Sequence, residues 1–341
     1  MKVTQRALAE KLGLSANAVS LALRNHPSIS KATRARVKAM ADQMGYRPNP
    51  LVAALTADRN KRERSGVTTL AYITTCHHLR SSSSHIRQLF YRGALERAEA
   101  CGFSLEEFCL ADADLNESRL QRILRSRGIH GILIAPPPKP NFSIQLDWEH
   151  FAVAALGHQL AHPRVHHAAS AIFQDTIKML DALKCMGYRR PAMLLKRKSE
   201  RNQLSQRAAI FEYLSRQLWE LPHPLIYLYD DIPSELDQIE AWLHHVQPDV
   251  VLSSDRQFKA PVIRVLGQVP KDVGYVAIEH SAVGEEARID FKPETVGAVG
   301  IDLVTAQLYR NERGIPAVVQ AVQVESPFFS GTTLRCSEAP K

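Results

Sequence analysis

No run of about 18 consecutive apolar residues occurs in the chain, so no membrane-spanning helix is expected. The first residues lack the apolar stretch of a secretion signal, which makes a cytoplasmic protein the expectation. The five cysteines (Cys76, Cys101, Cys109, Cys185 and Cys336) are odd in number and scattered, and none forms a CxxC pair. That argues against a disulfide framework or a zinc knuckle and for buried free thiols. There is no GxxxxGK[ST] phosphate loop, no GxSxG elbow and no HExxH pair. With no reactive constellation in view, neither an enzyme nor a cofactor is expected. The 14 histidines include the pairs His77-His78, His166-His167 and His244-His245. Adjacent side chains point to opposite faces of a strand and diverge by about 100° on a helix. No metal site is expected from them.

What is present is unevenly distributed. At 341 residues the chain is long enough for two or three domains. Residues 1–64 hold 13 Lys and Arg against 4 Asp and Glu, a net of +9, whereas residues 65–341 hold 30 against 31. The basic excess therefore sits wholly in the first fifth. Concentrated positive charge draws phosphate by releasing condensed counterions.

The same stretch has the pattern of short helices. Thr4 can cap a first helix reaching about Leu12; Gly13-Leu14-Ser15 breaks it, and Ser15 can cap a second helix over 16–23. Two short helices joined by a tight glycine turn make a helix-turn-helix, whose second helix enters the major groove N-terminus first. A third helix is expected from Ser30 to about Met44, stopped by Gly45. Leu8, Leu12, Leu14, Val19, Leu23 and Val37 can form their shared core.

On the second helix Ala16, Asn17, Ser20 and Leu21 lie toward the groove. Asn17 suits adenine or phosphate, Ala16 a thymine methyl, and Ser15 and Ser20 base edges or backbone. Lys31, Thr33 and Arg34 at the start of the third helix suit phosphate. Asn49 can cap and Pro50 can open a short helix over 50–59, too short to be stable alone. Paired with its copy from a second subunit, such a helix could place Leu55 in the minor groove as an apolar wedge. An ordinary linker is the alternative for that stretch.

Residues 3–55 resemble the headpiece and hinge of the lactose-repressor (LacI/GalR) family. The resemblance rests on Val3-Thr4, Ala9, Gly13-Leu14-Ser15, Ala18-Val19-Ser20, Leu23, Ile29-Ser30, Thr33-Arg34, Val37, Gly45-Tyr46 and Pro48-Asn49 through Leu55. It implies that Thr4, Ser15, Ala16, Asn17, Ser20, Leu21, Ser30, Lys31, Thr33, Arg34, Tyr46, Arg47, Asn49 and Leu55 make the DNA contact. It also implies a headpiece over 1–48, a hinge helix and linker over 49–65, and a core over 66–341. Ala18 and Leu21 depart from the family's usual Thr and Arg, so the operator sequence does not follow from the resemblance.

After residue 65 the pattern becomes α/β. Strands are predicted over 69–74, 105–109, 131–135, 151–156, 192–195, 225–228, 250–253 and 273–278. Helices are predicted over 87–101, 118–127, 170–186, 204–216, 235–246 and 294–312. Such alternation argues for parallel sheets covered by helices, with ligands at the carboxyl ends of the strands. Gly187-Tyr188-Arg189-Arg190, Val269-Pro270-Lys271-Asp272-Val273-Gly274, Ile289-Asp290 through Gly297 and Asn311-Glu312-Arg313-Gly314-Ile315-Pro316 extend the resemblance through the core. They imply two subdomains like those of a periplasmic sugar-binding protein, with an effector in the cleft. Arg207 stands where the family has its effector-clamping arginine, although Ile210 replaces the family's glycine three residues on. Asp255 and Glu279 follow strands, and His77 and His78 lie in the loop after the first strand; these complete the effector candidates.

The expected protein is thus a sequence-specific regulator of transcription, acting as a repressor on a palindromic double-stranded DNA operator. Its partners would be a second copy of itself and a small effector, a sugar or related metabolite, with no membrane involved, and its place the nucleoid. The segment after Gly331 is short and has no leucine heptad, which favours a dimer over a tetramer. The competing reading is a cytoplasmic sugar-binding or sugar-processing protein with an incidental helical N-terminal block.

Overall fold

Two capping motifs shape the N-terminal unit. In a computed structural model describing residues 5–23, 28–44, 46, 68–77, 85–138, 140–278 and 284–335, the first helices are α1 (Gln5–Leu12), α2 (Ala16–Leu23) and α3 (Lys31–Gln43). Gly13 follows α1 with φ +65°, a conformation that costs glycine nothing. The amides of Gly13 and Leu14 donate back to the carbonyls of Glu10 and Ala9, the paired bonds of a Schellman stop. Ser15 then caps α2, its Oγ accepting the Ala18 amide at 3.1 Å, and Ser30 caps α3 by accepting from Thr33 N at 3.2 Å. Leu8, Val19 and Val37 are fully buried at the centre, each stabilising the unit by about 1.5–3 kcal/mol. Thr4, Arg47, Asn49, Leu55 and the helix expected over 50–59 lie outside the described residues, as do His78 and Glu279.

The rest of the chain forms two α/β lobes. The first contains β1 (Thr68–Thr74), α4 (His85–Ala100), β2 (Phe103–Cys109), α5 (Glu117–Ser126), β3 (Gly131–Ile134), β4 (Phe142–Ser143), β5 (Ala152–Leu156), β6 (Leu160–His162) and β7 (His166–Ser170). The chain then crosses into the second lobe. There it forms α6 (Ile172–Cys185), β8 (Pro191–Lys196), α7 (Arg197–Asn202), α8 (Gln206–Trp219), β9 (Leu225–Tyr229), α9 (Ile232–Val246), β10 (Val250–Ser253), α10 (Lys259–Leu266), β11 (Gly274–Ala277) and β12 (Ala287–Ile289). It returns through α11 (Pro293–Arg310) and β13 (Ala321–Val324) to the first lobe and crosses again to β14 (Phe328–Phe329).

Each lobe is built on a six-stranded sheet, ordered β13-β7-β5-β3-β1-β2 in the first and β14-β12-β11-β10-β8-β9 in the second. All neighbours are parallel except β12 and β14. Parallel strands covered on both faces need apolar residues at every position. In β1, Leu70 and Tyr72 pack toward α4 and α11 while Ala71 and Ile73 pack toward α5. In the second lobe, Met193, Val250 and Val276 face one way and Leu194, Val251 and Tyr275 the other. Helices α4 and α11 approach at Gly93 and Gly297. A Cβ on either would overlap a backbone carbonyl of the facing helix, that of Glu294 or Phe90.

The α/β core with parallel sheets stands as expected. Six paired strands (β4, β6, β7, β12, β13 and β14) and two helices (α7 and α10) go beyond the sequence reading. They are short, and β7 reads His-His-Ala-Ala-Ser, with no β-branched residue to mark it. Helix α8 begins at Gln206 rather than 204, because Leu204 and Ser205 both take left-handed backbone, with φ 56° and 54°.

Candidate DNA interface and ligand cleft

In the N-terminal unit the buried residues of α2 are Val19 and Ala22, which leaves the opposite face for contact. Ala16 and Asn17 are exposed on the first turn of α2, and Ser20 and Leu21 are half-buried one turn on. Lys31 is exposed and Thr33 and Arg34 half-buried on the first turn of α3. None of the three helices carries an acidic residue in its first turn, so their positive dipole ends are open to phosphate. The hydroxyls of Ser15 and Ser30 are used as caps, and Ser30 Oγ lies 2.9 Å from Thr33 Oγ1. The half-buried Tyr46 packs against the unit's core, and its amide donates to Ala41.

In the lobes, several buried polar groups follow the carboxyl ends of strands β1, β5 and β8. Sheet order reverses between β1 and β3 and between β8 and β10, the switch points where such sheets bind ligands. Among the described residues of the core, seven side-chain atoms are buried without a hydrogen-bond partner: Thr75 Oγ1, His158 Nε2, Gln159 Oε1, Asp175 Oδ2, Asn202 Oδ1, Arg207 Nε and Ser326 Oγ. Thr75 follows β1, and His158 and Gln159 follow β5; Asn202 and Arg207 follow β8. Asp175 lies in the first turn of α6, and Ser326 lies at the crossing between β13 and β14. Each such atom costs about 1–3 kcal/mol if left bare.

Arg207 is the centre of this region. It is 2% exposed, and its Nη1 donates to Glu200 Oε1 at 3.1 Å and to Gln203 Oε1 at 3.0 Å. Glu200, itself 3% exposed, accepts the Ala208 amide on its other oxygen at 3.2 Å. The guanidinium carbon sits 5.6 Å from the ring centre of Phe291. Burial pulls the arginine below its ordinary value, and Glu200 opposes that shift. Asp175 Oδ1 accepts the Ser326 amide at 2.9 Å, and burial raises its carboxyl above the usual range.

These residues touch all three crossing segments. Ala171 N donates to Val324 O at 2.9 Å and Asp290 N to Pro327 O at 3.1 Å, tying the segments together. Phe291 belongs to the second crossing, Ser326 to the third, and Asp175 is in the first turn of α6 just after the first.

The other candidates separate. His77 is exposed in the loop after β1. Asp255 is half-buried, and its carboxylate caps a short turn by accepting Gln257 N at 3.0 Å. Glu200, Asp175 and Ser326 were not legible as site residues. Asp175 alone leaves a signal, since it interrupts the buried stripe Ile172, Thr176, Met179, Leu180, Leu183 of α6. A groove of about 420 Å³ lies between the end of β2 and α5, bordered by Glu107, Cys109, Asp112 and Arg119.

A three-helix unit of helix-turn-helix form followed by a two-lobed α/β core is a defined architecture, with a core of periplasmic-binding-protein-like fold. Residues 6–49 match the sequence model of bacterial regulatory proteins of the lacI family. The HTH-type transcriptional regulator AglR of Rhizobium meliloti (strain 1021) is 49% identical over 49 residues, a match spanning 14% of each protein. Solved structures extend the likeness of fold to the whole chain. The lac repressor dimer bound to operator and the anti-inducer ONPF aligns over 98% of this chain and 99% of its own, with 15% identity and TM-score 0.54. The transcriptional regulator CelR in complex with cellobiose aligns over 97% and 99%, with 16% identity and TM-score 0.57. A periplasmic binding protein/LacI transcriptional regulator from Alkaliphilus metalliredigens QYMF, complexed with D-xylulofuranose, aligns over 79% and 100%, with 15% identity and TM-score 0.56. Among the described residues no helix is long and apolar enough to cross a membrane.

Proposed function

We propose that the protein is a cytoplasmic repressor that binds a palindromic operator as a homodimer and is controlled by a neutral, hydroxyl-rich small molecule, without catalysing a reaction. The DNA reading rests on the exposed Ala16–Asn17 turn of a capped α2, set in a segment of net charge +9. Asn17 reads a base edge, with Ser20 and Leu21 beside it, while Lys31, Thr33, Arg34 and Arg47 hold phosphate. Thr4, Ser15, Ser30, Tyr46 and Asn49 fix the frame, and Leu55 opens a central step of the operator. The two-fold symmetry of the dimer requires the palindrome.

The effector reading is carried by one observation, the seven unpartnered buried atoms at strand ends and crossings. They combine a donor (Arg207 Nε), acceptors (Asp175, Asn202 and Gln159) and hydroxyls (Thr75 and Ser326), a set that a polyol satisfies. Glu200 already supplies the negative charge that Arg207 needs, which disfavours an anionic effector. His77, His78, Asp255 and Glu279 form the rim of the cleft in this reading.

Selection of DNA from a random pool by the full chain tests the regulator reading. Enrichment of a palindrome, with binding that falls steeply as salt rises, is expected. Failure to enrich any duplex in low salt would overturn it. Thermal shift with neutral sugars and with sugar acids at equal concentration tests the effector class, and a larger shift from the acids would refute it.

A further inference from the structure

The ends of β1 and β2 bring together three side chains to which the regulator reading gives no joint role. His77 Nδ1 lies 3.3 Å from Asp112 Oδ1 and 3.7 Å from Cys109 Sγ, and the three donor atoms lie within 4.8 Å of one another. Cys109 is the last residue of β2 and is buried; His77 and Asp112 come from the loops that follow β1 and β2. In a thiol–imidazole–carboxylate relay, thiol and carboxylate sit on opposite ring nitrogens, so that the ring passes a proton between them. Here both meet the same nitrogen. The arrangement cannot relay a proton through the ring, but it does point three donors at one place.

Two of the three spacings match a known coordination geometry, and the third lies within 4.8 Å. Around a tetrahedral zinc ion, bonds of about 2.0–2.1 Å to nitrogen and oxygen and about 2.3 Å to sulfur put N and O about 3.4 Å apart and N and S about 3.6 Å apart. A neutral imidazole, a thiolate and a carboxylate also carry the two negative charges that balance a divalent ion. We propose that His77, Cys109 and Asp112 form a binding site for a divalent transition-metal ion of the zinc class, with the fourth position open. The thiolate selects against calcium and magnesium, which take oxygen ligands. Binding forms the metal–sulfur bond as the Cys109 thiol loses its proton to solvent, leaves the His77 proton on Nε2, and changes no oxidation state. Cys76, the neighbouring thiol, is not a ligand, because Arg87 Nη1 approaches its sulfur at 3.6 Å. The site would tie the loop after β1 to the end of β2. The proposal departs from the expectation of no metal site, which rested on adjacent histidines and on the absence of CxxC and HExxH pairs.

Titration of the reduced, metal-free full chain with Co²⁺ tests the proposal. One equivalent is expected to produce a thiolate-to-cobalt charge-transfer band with tetrahedral visible bands, and one equivalent of Zn²⁺ should bleach them. Loss of an outer-shell partner alone costs a metal site about 10–100-fold. His77→Ala, at an exposed position, should therefore weaken binding by about a hundredfold or more, and Asp112→Asn should also weaken it. Cys109→Ser should abolish the charge-transfer band, while Cys76→Ser leaves it in place. Absence of a stoichiometric thiolate band in the parent chain, or unchanged Co²⁺ affinity in His77→Ala, would overturn the site. Retention of the band in Cys109→Ser would overturn it too.

Discussion

Replacing Glu200 with alanine should be among the most damaging single changes in the second lobe. The substitution strands the Arg207 guanidinium, whose Nη1 now donates to Glu200 at 3.1 Å, and leaves the Ala208 amide without its carboxylate acceptor. The lost charge-assisted bond contributes about 1.5–3 kcal/mol and the bared amide costs about 1–3 kcal/mol. Gln203 Oε1 stays on the same Nη1 and offsets part of this. The balance agrees with the roughly 3–5 kcal/mol lost when one partner of a buried pair is removed. Solvent cannot screen the loss, because the two side chains are 2% and 3% exposed. Against a typical stability of about 5–15 kcal/mol, the change is large. Urea unfolding followed by tryptophan fluorescence can read it, since Trp219 lies on the same helix as Arg207 and donates to Tyr188 O at 2.6 Å. Glu200→Gln keeps an acceptor and should lose less. Arg207→Met combined with Glu200→Leu should recover most of the loss, as apolar replacement of a buried pair often does. A Glu200→Ala protein within about 1 kcal/mol of the parent would show that the pair is not dry and would remove Arg207 as the anchor of the cleft.

Three other variants probe separate parts of the molecule. Gly297→Ala should destabilise the first lobe by about 3 kcal/mol, the upper end of overpacking costs, because the new methyl meets the Phe90 carbonyl rather than a movable side chain; an unchanged melting temperature would refute this. Asn17→Ala should leave stability within about 0.5 kcal/mol, since the side chain is exposed, yet lose about 1–3 kcal/mol of discrimination at one base pair in a binding assay with operator variants. Burial holds His158, His166 and His167 below the ordinary histidine value of 6.5. The unfolded chain therefore takes up their protons first, and their contribution is complete above pH 6.5 and is lost as pH falls below it. Asp175, raised by burial, acts in the opposite sense at lower pH. Urea midpoints at pH 8 and at mildly acidic pH should converge in a His158→Gln, His167→Gln protein, and an unchanged difference would sink the assignment.

How much of this was readable depended on the length and periodicity of each segment. Helices of 14 to 18 residues such as α6 and α11 announce themselves by apolar spacing. The strand Ala287–Ile289 has 3 residues and Phe328–Phe329 has 2, so neither can show a period; pairing with neighbours makes them strands. The headpiece was legible almost residue by residue because its caps are local: Gly13, Ser15 and Ser30 each bond within five positions. Sites assembled across lobes are not local. Arg207 was found by resemblance, but Glu200 sits in a polar run that looks like solvated surface. His77 and Cys109 are 32 positions apart and meet only because β1 and β2 pair with Thr74 opposite Cys109.

The placement of the unpartnered atoms also constrains how a ligand could act on DNA binding. A ligand shifts a conformational equilibrium only by the difference in its affinity for the two states. Contacts confined to one rigid lobe would be equal in both arrangements and would shift nothing. Here Thr75 and His158 belong to one lobe, Arg207, Asn202 and Asp175 to the other, and Ser326 to a connection between them. Any rotation of the lobes therefore changes how many of these atoms a bound molecule can reach. One hydrogen bond gained in the closed arrangement contributes about 0.5–1.5 kcal/mol, and two give a differential of about 1–3 kcal/mol. That is the range of coupling free energy found between allosteric sites, about 5–150-fold in affinity. In the proposed function, regulation therefore needs no tight-binding effector, provided that the effector's hydroxyls reach both lobes.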